Sequence, residues 1–198
     1  MNKYNLPVLL PPTGRISITQ PYGPTDNTLE PVGPHGEPHF HYGVDVIFGD
    51  AFNSYGLPLV NPFAVGTFAS ENPPPGTYEN TPTIVINGVG ASGNKYQLVL
   101  AHVSNVVKST TYANKQIVGA TGNYGTVAPV PSISGPWDGS HLHLGLLVNG
   151  NWADPQEYFD FSNAYAGPQH DPNACVDRLS WAVEQFQANP GVHYQLTN

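Results

Sequence analysis

Short segments in which apolar residues alternate with polar ones, or cluster between glycines and prolines, recur at 15–19, 44–48, 83–89, 96–103, 116–120 and 142–148. They predict strands, because successive side chains on extended backbone point to opposite faces. Between them, 21–38, 71–82 and 123–140 are rich in Gly, Pro, Asn and Ser and predict long loops of the kind that wall binding sites. After Pro155 the period changes. Val176, Leu179, Val183 and Phe186 recur at spacings of three and four, which predicts an amphipathic helix over 174–188, started by Asp171 or Asn173 and stopped by Pro190-Gly191. Trp181 is expected near its buried face. The pattern as a whole predicts a mainly β protein, an antiparallel sheet core with long loops, plus a C-terminal helix. A domain over 1–159 and an extension over 160–198 are expected.

Composition sharpens this picture. A chain of 198 residues is long enough for one domain with a real core, and 21 Gly with 21 Pro against only 10% charged residues favours short strands joined by fixed turns. Fourteen acidic and six basic side chains give a formal charge of −8, the wrong sign for phosphate backbones or anionic lipid. No nucleic-acid partner is expected. The single Cys175 excludes an intramolecular disulfide and reads as a small apolar filler. The apolar run at 8–10 is interrupted by Pro7, Pro11 and Pro12, far below the length of a signal-peptide apolar region, so no export signal is expected. No stretch approaches the length of a membrane span.

Candidate chemistry lies in the histidines, at 35, 39, 41, 102, 141, 143, 170 and 193. His41 and Asp45 bracket Gly43 at the entry to a predicted strand, close enough for both to reach one cation, and zinc accepts both imidazole nitrogen and carboxylate oxygen. His141 and His143 flank Leu142 in another predicted strand, where alternation points both imidazoles to one face. Two ligands from the first pattern and one from the second make a His-Asp-His set with a fourth position open, as in catalytic rather than structural zinc sites. The other histidine of the pair then stands beside the metal. His102 is expected inside the apolar strand 96–103, where a polar group needs a partner. Glu37 and Asp138 are alternative bases, His35 and His39 substrate or metal contacts, and His170 and His193 solvated.

Several motifs occur together and in order. They are 14–23 ending in Tyr22-Gly23, His41 to Asp45, 56–62 with Val65-Gly66-Thr67, 98–103, 116–123, Ser140-His141-Leu142-His143-Leu144, and the closing Asn149-Gly150 and Asp154-Pro155. Over roughly 14–156 this order resembles the lysostaphin and LytM-type zinc endopeptidases, the M23 peptidases. The resemblance implies one zinc ion held by His41, Asp45 and His143, with His102 and His141 catalytic, and hydrolysis of peptide bonds in bacterial peptidoglycan. A structural or binding component of a bacteriophage particle that retains the peptidase fold is the alternative. Either way the chain is expected to act at the bacterial cell wall, carried by a phage or exported by another route. Self-association or particle assembly is expected through the C-terminal helix.

Overall fold

The structure is a computed structural model that describes residues 3–10, 15–48, 54–74, 81–90, 92–125 and 139–166. The helix expected at 174–188, with Cys175, Trp181, His170 and His193, lies outside the described residues, as does Asp138. The first half of the described chain forms β1 (Tyr4–Leu10), β2 (Ile16–Gln20), β3 (Gly23–Pro24), β4 (Phe40–His41), β5 (Val44–Phe48), β6 (Pro58–Val60), β7 (Val65–Ser70) and β8 (Thr83–Val89). The second half forms β9 (Lys95–Ala101), β10 (Val103–Ser104), β11 (Tyr112–Ala113), β12 (Ile117–Thr121), β13 (Leu142–Val148), β14 (Asn151–Trp152) and β15 (Phe159–Ala166).

These strands build an eight-stranded sheet in the order β11-β7-β8-β9-β13-β5-β2, with β14 on β13, and a five-stranded sheet in the order β10-β12-β6-β1-β15. A separate two-stranded ribbon pairs β3 with β4. Pairing is antiparallel throughout the large sheet, but β1 and β15 run parallel, a departure from the all-antiparallel expectation. No helix among the described residues is long and apolar enough to cross a membrane.

Alternation decides where the core sits. On the large sheet Val44, Val46 and Phe48, Ile84 and Ile86, Leu98 and Leu100, and Leu142, Leu144 and Leu146 all face inward. They meet Leu6, Val8, Leu10, Leu59 and Val118 of the smaller sheet in one buried cluster. Each such side chain contributes about 1.5–3 kcal/mol when fully buried. A one-residue slip of β13 would expose its three leucines together, at a cost on the order of a small domain's whole stability of roughly 5–15 kcal/mol. The opposite face of the same strands is thereby defined without freedom. Its residues form a row across the sheet in which Thr83 pairs with Ala101, Ala101 with His143, His143 with Asp45, and Asp45 with Gln20.

Of the strands outside the expected set, β1 and β15 close one edge of the smaller sheet. β1 contains Pro7, which lacks the N–H a central strand needs, and its register with β15 shifts on either side of Leu6. The irregularity accommodates the proline while Leu6, Val8 and Leu10 stay buried. β15 carries the chain past residue 160, pairing Ala164, Tyr165 and Ala166 with Leu6, Leu9 and Leu10. Tyr165 also packs on the cluster of Leu9, Val60, Val107 and Ile117. A chain ending at residue 160 is expected to melt below one ending at 166 by roughly 4–8 °C, for a loss of about 2 kcal/mol of apolar cover. Equal melting temperatures would show that β15 does not support the smaller sheet.

Candidate metal centre

Three elements bring the site together. His143 and Asp45 are direct cross-strand neighbours on β13 and β5, and His41 arrives from the ribbon, two residues before β5 begins. The three donor atoms form a nearly equilateral triangle. His143 Nδ1 lies 2.9 Å from Asp45 Oδ1, His41 Nε2 lies 3.2 Å from the same oxygen, and the two nitrogens are 3.1 Å apart. His41 and His143 are buried, each 1% exposed, while the Asp45 side chain keeps 15%. Among the described residues this is the group of three metal-ligating side chains whose donor atoms converge.

Backbone carbonyls aim the rings. His41 Nδ1 donates to the Pro21 carbonyl at 2.9 Å, so a neutral His41 presents the bare lone pair of Nε2 to Asp45. A lone pair, a second ring nitrogen and a carboxylate in mutual contact require a cation between them, a proton or a metal ion. In the metal-free chain a proton serves. Burial alone would lower the His41 pKa, but the hydrogen bond and charge of Asp45, helped by Glu30, outweigh it and raise the value above that of an ordinary imidazole. Burial likewise works to raise Asp45, yet its hydrogen bonds with His143 and His41 hold the carboxyl well below the usual carboxylate range. For His143 burial dominates and lowers the pKa, with Asp45 opposing.

The two remaining imidazoles flank the triangle. His141 Nε2 is 3.6 Å from Asp45 Oδ2, and the His102 and His141 ring centres are 4.4 Å apart. His102 Nδ1 donates to the Tyr124 carbonyl and His141 Nδ1 to the Gly139 carbonyl, both at 2.7 Å, which turns both Nε2 atoms away from their anchors. Burial first, then the neighbouring His141 and His143, pushes His102 down to about 3. It is uncharged at neutral pH.

His102 corrects one expectation. It does not lie inside a strand but at the break between β9 and β10, with a left-handed φ of 59°. Such a backbone is uncommon for a residue with a Cβ and costs about 1–2 kcal/mol, and it persists where surrounding contacts enforce it. His41, Asp45, His102, His141 and His143 thus gather in one place. Glu37 does not join them, because its Oε2 accepts from the His35 amide at 2.9 Å within its own loop. His39 Nδ1 donates to the Glu30 carbonyl at 3.0 Å, and Glu30 Oε1 in turn accepts from Gln20 Nε2 at 3.0 Å, so His39 serves the loop packing.

Sequence reasoning misses the carbonyls of Pro21, Tyr124 and Gly139, since every residue carries one and nothing in the side chain marks it. Nor does residue type show why Gly43 lacks a side chain, for which the structural reason is contact. A Cβ at Gly43 would fall 2.5 Å from both Cε1 and Nε2 of His143 and 2.8 Å from the Leu144 carbonyl oxygen.

No family model matches the chain, and no curated protein matches it. Solved structures with similar backbones include a zinc containing peptidase from Vibrio cholerae, 19% identical, covering 78% of this chain and 39% of that one, with a TM-score of 0.48. The antimicrobial peptidase lysostaphin from Staphylococcus simulans is also 19% identical, covering 79% of this chain and 55% of its own, with a TM-score of 0.46. The SpoIIQ-SpoIIIAH pore forming complex is 17% identical over 82% of this chain and 94% of that one, with a TM-score of 0.49. This chain therefore spans well under two thirds of both peptidases. Likenesses at this level, shared between peptidases and a pore-forming complex, carry no argument about activity, and the geometry of the site must supply it.

Gly43→Ala is expected to displace the His143 ring and weaken metal binding at least tenfold while leaving the sheet folded, measurable by zinc titration beside circular dichroism. Unchanged affinity would mean that the ring does not need this space. Because the folded chain holds the His41 proton more tightly than an ordinary imidazole with a pKa near 6.5, a metal must displace it, and affinity is expected to climb with pH through that region. His143, with its lowered pKa, adds little to this slope. A zinc affinity that stays flat from pH 6 to 8 would contradict the exchange of proton for metal at His41.

Proposed function

We propose that the chain is a zinc-dependent endopeptidase that hydrolyses peptide bonds in bacterial peptidoglycan, in the stem peptide or the cross-bridge. The observation that carries this reading is the His41, Asp45 and His143 triangle with two further imidazoles set beside it. A tetrahedron with bonds of about 2.0–2.1 Å has edges of roughly 3.3 Å, close to the 2.9, 3.1 and 3.2 Å edges found here. Two nitrogens and one oxygen suit zinc and leave its fourth position open. The substrate class rests on the order of motifs along the chain.

Zinc bound there would supply Lewis-acid polarisation of a carbonyl and acidify water at neutral pH. The chain's own residues provide the rest. His41, Asp45 and His143 hold the ion. His102 and His141, anchored through Nδ1, have Nε2 available to accept a proton from water and later to return one to the leaving amine. Their fixed orientation removes the entropy of finding the geometry anew at each turnover. The negative charge of −8 gives no long-range attraction to an anionic wall polymer, so the chain is expected to be brought to the wall by a particle or a further module. We assign 1–166, through the end of β15, to the peptidase domain and the chain beyond it to assembly with a second copy or a particle.

Incubated with purified peptidoglycan, the zinc-loaded chain is expected to free new amino groups that mass spectrometry can place on one bond type. His102→Ala and His141→Ala are expected to keep one zinc per chain while turnover falls about a hundredfold or more. Losses below tenfold in both variants would remove them from the chemistry. A zinc-loaded chain with no turnover on any wall preparation would turn the reading toward a structural phage component.

A further inference from the structure

One short piece of chain meets both His102 and His141, the first at its ring and the second at its backbone. Residues 121–125 link the end of β12 to His102 on one side and to His141 on the other. His141 forms an isolated bridge with Gly122, its amide donating to the Gly122 carbonyl at 3.3 Å. Two residues further on, the Tyr124 carbonyl takes the His102 Nδ1 proton. Gly122 itself lies against the backbone of His102, where a Cβ would come 2.7 Å from the His102 carbonyl oxygen, 3.1 Å from Tyr124 Cδ2 and 3.4 Å from Ser104 Cβ.

The segment is fastened where it leaves β12. Thr121 pairs with Val103, its hydroxyl donates to the Ser54 carbonyl and accepts from the Leu57 amide, and its own carbonyl accepts from the Gly56 amide and the Ser104 hydroxyl. At the other end Gly125 has a left-handed φ of 87°, and a Cβ there would meet the Thr81 hydroxyl at 2.9 Å. The left-handed turn at His102 lies where Gly122 closes against its carbonyl and the Tyr124 carbonyl holds its ring.

From this geometry we propose that 121–125 is the positioning element of the site, with Gly122 as its pivot, and that it sets the ring orientation and the Nδ1–H tautomer of His102 through the Tyr124 carbonyl while holding the backbone of His141, whose ring is anchored separately on the Gly139 carbonyl. Gly122 touches no reacting atom; it acts through His102 and the backbone of His141. The proposal rests on the peptidase reading only for its effect on turnover, because the tautomers exist whether or not the chain cleaves anything.

The test is nitrogen-15 correlation spectroscopy of the histidine rings in the zinc-loaded, full-length chain, which distinguishes Nδ1–H from Nε2–H. Wild type is expected to show His102 as Nδ1–H. A dominant Nε2–H tautomer of His102 would overturn the proposal by itself, with no variant needed. Gly122→Ala is expected to retain one zinc per chain, to shift the tautomer balance of His102, and to lower kcat at least tenfold with KM within about threefold. A folded Gly122→Ala chain with wild-type tautomers and wild-type kcat would also overturn it. If wild type shows the expected tautomers yet cleaves no peptidoglycan, the functional reading fails while the positioning role of the segment stands.

Discussion

The face-to-face placement of Asp45 and His143 across β5 and β13 is the contact on which the site depends, and it is set by residues on the other side of the sheet. Val44 and Val46, Leu142 and Leu144 must be buried, and the register that buries them sends Asp45 and His143 outward together. The hydrophobic core thus selects a polar geometry without touching it. A one-residue slip would forfeit several fully buried aliphatic side chains at once, so the core decides which face carries the pair.

The electrostatics of the centre follow from the same placement. Burial acts against the charged form of each group, and the groups answer it by sharing one carboxylate oxygen. Pro21, Tyr124 and Gly139 supply the complement, because a carbonyl can only accept and so places the proton of each of three rings on Nδ1. His143 is turned the opposite way, with Nδ1 toward Asp45, and the bare Cα of Gly43 gives it room. Neutral imidazoles of defined tautomer are what proton transfer next to a metal requires.

Most of this was legible where side chains declare themselves. Alternating runs such as 83–89 and 142–148 marked strands whose observed bounds are the expected ones, and His41, Asp45, His102, His141 and His143 stood out by type and spacing. β1 was hidden by Pro7, because a proline argues against a central strand unless an irregularity in register absorbs it. β15 gave no clear alternation in Phe159–Ala166 and finds its partner at the other end of the chain. His102 was misplaced for a related reason, since an apolar run on both sides reads as one strand and nothing in 96–103 announces a left-handed break. Contacts made by backbone carbonyls, or by the absence of a Cβ, leave no signature in residue type.

Of the three proposed ligands, two belong to the large sheet and the third, His41, belongs to a ribbon hydrogen-bonded separately from it. An ion held by all three would therefore be a rivet between the sheet and a ribbon that the backbone joins to it at two places, Pro21-Tyr22 and Tyr42-Gly43. Its departure would leave the ribbon and 25–39 held to the sheet by weaker means, the packing of Tyr42 on Trp152 and the Gln20–Glu30 hydrogen bond, while the leucines and valines beneath stay where they are. Demetallation in such an architecture is a local loosening and not an unfolding, visible as faster amide exchange or proteolysis confined to that segment. A metal site built this way would empty to a chelator and refill without the core beneath it coming apart.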